Sequence, residues 1–238
     1  MKQLASILYG SQNYGLSTPE SDKDYKVLMC PSFDELYEGH KVTKQDLPGG
    51  YDPEHYSVIS VVNFNRLLLN GNPNCIELLY SVEYEYINVD LMRYFDMARE
   101  MYSKGYVALV LREFYSALRG MMFNTVDRCG ITRKTVSRAY YLYHLFEYII
   151  NDGYVISEAT FRNDSEGFKR ARIIREGGKD DKALVSIVNG LKMLWYDNNQ
   201  LTHMALDFMR THSALVKELE QMRNELEKEM KKVVRMNM

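Results

Sequence analysis

The sequence is poor in cysteine and has no long apolar run. Its three cysteines, Cys30, Cys75 and Cys129, are odd in number and form no Cys-x-x-Cys pair, which argues against a zinc site or a disulfide framework. No run of about 18 apolar residues occurs, so we expect no transmembrane helix and no membrane partner. The first residues lack a long apolar region, so we expect no signal peptide. Free thiols in a reducing cytoplasm are the expectation.

An excess of charge of one sign is also lacking. The formal net charge is only −2, from 30 basic and 32 acidic side chains, so no global attraction to nucleic acid or to a membrane surface is expected. The 238 residues, 46% of them hydrophobic, are enough for one large domain or two small ones with a substantial core. Composition therefore leaves the function open, and the local motifs must indicate it.

The most informative stretch is residues 10–24, Gly-Ser-Gln-Asn-Tyr-Gly-Leu-Ser-Thr-Pro-Glu-Ser-Asp-Lys-Asp. It lies between two short apolar runs, Gln3–Tyr9 and Tyr25–Cys30, and each run is typical of a β-strand. Residues i and i+2 of a strand point to the same face. Asp22 and Asp24 are therefore predicted to lie side by side at the start of the second strand, near the turn that opens the stretch.

This pattern of residues suits a metal-bound phosphate. Two adjacent carboxylates repel each other unless a cation lies between them, and hard oxygen ligands favour Mg²⁺, with Mn²⁺ as the alternative. The Gly10-Ser11 turn offers backbone N–H groups and a hydroxyl to a phosphate. The combination predicts a site for a magnesium-bound nucleoside triphosphate. The competing interpretation is an exposed loop with one or two capping residues.

The same residues resemble the nucleotidyltransferase signature of the DNA polymerase beta superfamily, in particular its bacterial and phage group of predicted nucleotidyltransferases. The matching positions in the stretch are Gly10, Ser11, Gly15, Thr18, Ser21, Asp22 and Asp24. Weaker matches follow at Lys26, Val27 and Pro31, and again at residues 72–74 and 77–79. The resemblance covers the first third of the chain well and the remainder loosely.

The resemblance implies an α+β fold and an enzymatic activity. Residues 1–85 would form a nucleotidyltransferase domain with a small mixed sheet flanked by helices, and residues 86–238 would form an all-helical domain. The enzyme would transfer a nucleoside monophosphate from ATP or another triphosphate to an unidentified acceptor, by a two-metal mechanism. It would act in the cytoplasm, or in the host cytoplasm if a phage encodes it.

The resemblance also implies roles for individual residues. Gly10 and Ser11 would hold the β- and γ-phosphates and Ser21 would contribute to nucleotide binding, while Asp22 and Asp24 would be catalytic metal ligands. A third catalytic carboxylate is expected where this chain has His55. We rank Glu54 first for that role and Asp52 second, followed closely by a site without a third acid.

The remaining pattern predicts one more strand and then mostly helices. Glu54–Ser60 is the third predicted strand. The predicted helix N-caps are Ser32, Asn72 and Thr132. Glu77, on the helix after Asn72, would either pack on the sheet or line the site. From Tyr86 onward helical periodicity dominates. The predicted helices are Leu91–Tyr102, Tyr106–Asn124, Thr132–Ile150, Phe168–Glu176, Asp180–Asp197 and one from about 199 to 234.

Basic residues of these helices are candidates for contacts to the nucleotide and the acceptor. Lys134 and Arg138 share a helix face with Tyr141, and they would bind phosphate or base across a cleft, unless the face is only solvated. A second basic segment would bind an RNA or tRNA acceptor, or would merely be exposed. Its members are Arg162, Lys169, Arg170, Arg172 and Arg175.

The C-terminal helix is amphipathic and allows two arrangements. Its apolar positions recur at spacings of three and four, so it would pack on its own domain or pair with another copy in a homo-oligomer. Two further functional classes remain beside the enzyme. One is a weakened or inactive nucleotide-binding sensor, because the expected third acid is displaced. The other is a structural or interaction protein that uses the last helix.

Overall fold

The computed structural model describes residues 1–162, 164–177, 180–194 and 196–238. In these ranges the fold is α+β, with one four-stranded mixed sheet and ten α-helices. The predicted helix end at Gly178 and the predicted helical position of Trp195 lie outside the described residues. None of the described helices combines the length and the apolar character that crossing a membrane requires.

The sheet has the strand order β3-β2-β1-β4. Its strands are β1 (Lys2–Tyr9), β2 (Asp24–Cys30), β3 (Tyr56–Ser60) and β4 (Tyr84–Ile87). The strand β1 is antiparallel to β2 and β4, while β2 and β3 are parallel. Four apolar side chains of β1 are almost fully buried, namely Leu4, Ala5, Ile7 and Leu8. Because they include neighbours that point to opposite faces of the sheet, this central strand is covered on both faces.

The first two strands confirm the prediction from the apolar runs, and the other two differ from it. The third strand starts at Tyr56, so Glu54 and His55 precede it rather than belong to it. The fourth strand was not predicted, because four residues with a Tyr-Glu-Tyr-Ile pattern give little periodic signal. The predicted domain boundary between residues 85 and 86 falls inside β4.

The short helices of the first third begin at the predicted capping residues. The helix α1 (Phe33–Tyr37) starts after Ser32, whose hydroxyl accepts the Glu35 N–H in a capping box. Next come α2 (Val61–Leu69) and α3 (Pro73–Leu79). Asn72 caps α3 by accepting the Asn74 N–H, and proline occupies the first helical position.

Seven helices follow the sheet. They are α4 (Val89–Ser103), α5 (Leu111–Cys129), α6 (Arg133–Asn151), α7 (Glu166–Arg175), α8 (Asp181–Met193), α9 (Asn198–Thr211) and α10 (Ser213–Asn237). Two predicted helices were wrong in their bounds. Residues Tyr106–Val110 form a 3₁₀ turn before α5. The long last helix is divided at His212, whose φ of −121° and ψ of 39° are not helical.

The C-terminal helix α10 packs on α2, in the first third of the chain, and on α4. Four of its apolar side chains are buried there, namely Leu219, Leu226, Met230 and Val233. Lys2 Nζ donates to Asn237 Oδ1 at 2.8 Å, which ties the end of α10 to the sheet. The helix thus packs on its own chain, as the first of its two interpretations states. Pairing with another copy stays a prediction.

Candidate active site

One cavity of about 450 Å³ collects eight of the residues that the sequence singled out for the site. They are Gly10, Ser11, Ser21, Asp22, Asp24, Glu54, Lys134 and Arg138. The cavity lies where the loop between β1 and β2, and the turn before β3, face α6 and the end of α7. The structure thus brings together residues that are more than a hundred positions apart in sequence, while their individual roles stay predictions.

The acidic wall of the cavity is built around the start of β2. Asp24 is the first residue of this strand and pairs in register with Tyr9. Asp22 lies outside the strand, in the preceding loop, so the strand alternation that predicted a shared face does not apply to it. Asp22 is exposed and Asp24 is half-buried. Within the described residues neither carboxylate has a hydrogen-bond or ion-pair partner, so both are available as ligands.

A buried carboxylate lies directly beneath this loop. Glu77 is only 1% exposed. It accepts the Gly10 N–H at 2.5 Å, the Asn13 Nδ2–H at 3.0 Å and the Tyr14 hydroxyl. Burial raises the pKa of Glu77, and the three donors oppose that effect only in part. Glu77 therefore holds the loop in place and does not line the cavity.

This contact changes the predicted role of Gly10. Its N–H donates to Glu77 and is not directed to a phosphate in the cavity. Its φ of +84° lies in the left-handed region that glycine adopts without strain, so Gly10 shapes the turn. The phosphate contact predicted for the turn is then left to Ser11, whose side chain lines the cavity.

Glu54 is the candidate for the third acid that lines the cavity. Its exposed side chain lines the cavity together with His55. Asp52 does not line the cavity. Its carboxylate Oδ1 instead accepts the Glu54 N–H at 2.9 Å, within the turn before β3. The His55 carbonyl accepts the Tyr25 N–H at 2.8 Å, which fixes this turn against β2. Of the two acids considered, only Glu54 is thus near the metal-binding candidates.

The basic wall is the first half of α6. Thr132 caps this helix by accepting the Thr135 N–H, as predicted. Lys134, Ser137 and Arg138 follow on one helix face and line the cavity. Among the described residues, Arg138 Nε is the one buried side-chain nitrogen or oxygen without a hydrogen-bond partner. Leaving such a donor unpaired costs about 1–3 kcal/mol, so the site is suited to a ligand that supplies an acceptor.

Tyr141 does not share the role predicted for this helix face. It is fully buried, and its hydroxyl donates to the Phe161 carbonyl at 3.1 Å. Its ring packs against Tyr14 at a centroid distance of 4.7 Å and against Phe168 at 4.8 Å. The residue therefore joins α6, α7 and the loop rather than contacting a ligand.

The basic segment before and along α7 is directed largely at the loop rather than at solvent. The contacts are Arg162 Nε to the Asn13 carbonyl at 3.3 Å, Arg172 Nε to the Gly15 carbonyl at 3.1 Å and Arg175 Nη2 to Ser21 Oγ at 3.5 Å. Lys169 and Arg170 are exposed, and Arg170 pairs with Glu166 at 3.0 Å. Binding of an RNA or tRNA acceptor by this segment stays a prediction.

Five residues that line the cavity were not singled out from the sequence, namely Tyr9, Tyr14, Leu16, Glu20 and Ser137. Glu20 is one more acid in a loop rich in polar residues, and nothing in the pattern distinguishes it. Tyr9 was identifiable in principle, because it ends β1 and pairs with Asp24 in a hairpin-like register. Ser137 follows from helical spacing, since it lies between Lys134 and Arg138 on the same face.

The chain matches no protein-family model, no curated protein and no solved structure. The assignment therefore depends on the residues and geometry of the cavity. Within the described residues, no group of three or more His, Cys, Asp or Glu side chains forms a metal centre. Two unpaired carboxylates at the cavity still fit Mg²⁺, which commonly binds one or two carboxylates together with water and substrate phosphates.

Proposed function

We propose that this protein is a Mg²⁺-dependent nucleotidyltransferase, which transfers a nucleoside monophosphate from a triphosphate to an acceptor. The observation that carries the proposal is the division of one cavity into two walls of opposite charge. Asp22, Asp24 and Glu54 form one wall, and Lys134 and Arg138 form the other. A triphosphate with a divalent cation presents both signs of charge and complements both walls.

The chain's own residues would act mainly by binding and orientation. Lys134 and Arg138 bind the phosphates as charged donors, and the unpaired Arg138 Nε gains an acceptor. The Ser11 hydroxyl adds a donor at the turn. Asp22 and Asp24 would hold Mg²⁺, which when bound supplies stabilisation of the negative charge on the transferring phosphoryl group.

The transfer exchanges one bond to the α-phosphorus for another. The acceptor oxygen forms the new bond, the bond to the bridging oxygen of the β-phosphate breaks, and pyrophosphate leaves. Glu54 accepts the proton of the acceptor hydroxyl at its carboxylate. The two halves named for the resembled family, residues 1–85 and 86–238, would supply the acidic and basic walls respectively.

A nucleotide-binding sensor without catalysis is the second candidate function. The specific observation in its favour is that Glu54 lies in an exposed turn outside β3, while His55 occupies the position where the resembled family carries its third acid. Such a protein would bind a triphosphate with Mg²⁺ and would release no pyrophosphate when acceptors are supplied.

The first test is thermal unfolding with ATP, GTP, CTP and UTP, each with and without Mg²⁺. A triphosphate at about 100 times its dissociation constant stabilises the native state by about 2.7 kcal/mol. We expect a Mg²⁺-dependent rise in Tm with at least one triphosphate, and its loss in Asp22→Asn/Asp24→Asn. The exposed pair in Asp152→Asn/Asp207→Asn is the control with the same charge change and retains the rise. No rise in the wild type with any triphosphate overturns both candidate functions.

A further inference from the structure

The loop that carries the acidic wall is held from the far end of the chain. Arg172, on α7, donates its Nε–H to the Gly15 carbonyl at 3.1 Å across 157 positions of sequence. Gly15 has a φ of +64°, and a Cβ on it would lie 2.9 Å from Arg172 Nη2. The guanidinium therefore packs against the bare face of the glycine, and the positive φ of Gly15 independently favours glycine at this position.

The helix that presents Arg172 is itself firmly placed. The side chains of Phe168, Ala171 and Ile174 are buried against the core. Phe168 contacts Tyr141, which in turn contacts Tyr14 of the loop. The backbone that carries the donor is thus fixed by packing, while the Arg172 side chain itself remains 40% exposed.

We infer that Arg172 is a positioning residue, whose hydrogen bond to Gly15 sets the conformation of the loop between β1 and β2. Ser11 lies four residues before the contact and Asp22 seven residues after it, so loss of the bond loosens both the phosphate-binding and the metal-binding candidates. Its effect on nucleotide binding rests on the proposed function. Its effect on the loop does not, because the contact involves only the chain itself.

The chain offers a matched pair of substitutions that isolates this bond. Glutamine carries its Nε2 after the same three carbons that precede Nε in arginine, so Arg172→Gln keeps the donor and removes the charge. Arg172→Met has a similar length and removes both. The Asp164 carboxylate lies 3.8 Å from Arg172 Nη1. Because this carboxylate is exposed, water solvates it when the positive charge of Arg172 is removed. Arg170→Met, on the exposed face of the same helix, is the control.

The test is hydrogen exchange of the backbone amides that are bonded within the loop. These are the N–H groups of Asn13, Tyr14, Gly15, Leu16 and Ser21. A hydrogen bond from a charged donor adds to the free energy of opening the loop. Its loss in Arg172→Met should therefore speed exchange of these amides about tenfold. We expect the exchange rates of these amides in Arg172→Gln and Arg170→Met to remain within about threefold of the wild type, because both variants keep a donor to the Gly15 carbonyl.

A second readout measures binding of ATP, GTP, CTP and UTP with Mg²⁺ by the same four proteins. We expect Arg172→Met to weaken the preferred triphosphate about tenfold or more, and Arg172→Gln to restore most of the affinity. Unchanged loop exchange in Arg172→Met overturns the inference. So does faster exchange throughout the chain, which would mark general destabilisation. Loop exchange that changes as expected while even the wild type binds no triphosphate supports the positioning role and overturns the proposed function alone.

Discussion

Glu77 and Gly10 are 67 positions apart in sequence, and the Glu77 carboxylate accepts the Gly10 N–H at 2.5 Å. This bond connects the middle of α3 to the first residue of the loop that carries the acidic wall. Because Asn13 and Tyr14 donate to the same carboxylate, one buried acid satisfies three donors of the loop. The loop between β1 and β2 is therefore held both by Glu77 of α3 and by Arg172 of α7.

Removing the carboxylate of Glu77 should strongly destabilise the protein. Glu77→Ala leaves the Tyr14 hydroxyl and the Gly10 N–H without an acceptor, while Asn13 Nδ2 keeps the Leu8 carbonyl, and each donor left unpaired costs about 1–3 kcal/mol. We expect the free energy of unfolding in urea to fall by about 3 kcal/mol or more. Glu113→Ala, at an exposed position of α5, is the control and should change it by less than about 0.5 kcal/mol. Equal effects of the two substitutions would contradict the role of Glu77.

The same acid should give the stability a recognisable pH dependence. Burial raises the pKa of Glu77 above the ordinary value of 4.5 in the folded state. Its contribution to stability is fully present below the unfolded pKa and is lost as the pH rises through the folded pKa. The difference in unfolding free energy between the wild type and Glu77→Gln, measured from pH 4 to 8, should therefore decline with rising pH. A difference that grows with pH would show that the pKa is lowered.

Arg138 should matter more for the ligand than for the fold. Its Nε is buried and unpartnered among the described residues, so Arg138→Met removes a donor that no protein group uses. We expect the unfolding free energy to stay within about 1 kcal/mol of the wild type, while the affinity for a triphosphate with Mg²⁺ falls about tenfold or more. Lys134→Met tests the exposed neighbour on the same face and should lose less affinity. A drop of more than about 2 kcal/mol in stability would instead make Arg138 a structural residue.

The packing of α10 can be tested with two leucines. Leu226 is 1% exposed on the buried face of α10, and Leu206 is 37% exposed on α9. Leu226→Ala should lower the unfolding free energy by about 2–5 kcal/mol, because it deletes buried methyl groups and leaves a cavity. Leu206→Ala should change it by less than about 1 kcal/mol, as expected for a largely solvated side chain. Similar losses in both variants would show that α10 does not form part of the core.

Local signals in the sequence were sufficient for much of the architecture. The apolar runs predicted β1 and β2, and Ser32, Asn72 and Thr132 each cap the helix that they were predicted to cap. Of the eight predicted site residues, five lie on the loop and turn beside β2, Asp24 begins β2, and the other two share one face of α6. Short-range spacing predicts which of them share the loop or the helix face, whereas the tertiary fold brings the two groups into one cavity.

Long-range contacts were beyond the reach of those signals. The edge strand β4 has only four residues, and its pairing with β1 is what stabilises it. A glutamate is ordinarily exposed, so no pattern indicates that Glu77 is buried under the loop. The segment with Arg172 and Arg175 looks like a solvated basic surface until its distant acceptors are known. The break between α9 and α10 at His212 has no glycine or proline nearby from which it could be predicted.

The packing of α10 on α2 and α4 has a consequence for the order in which the protein is made. The strands and α2 leave the ribosome before the residues of α10 that cover α2 and α4. A nascent chain that lacks residues 213–237 exposes the apolar surface that Leu219, Leu226 and Met230 would bury. Folding of the first third is therefore completed only after synthesis has passed α10, and until then that surface is available to chaperones.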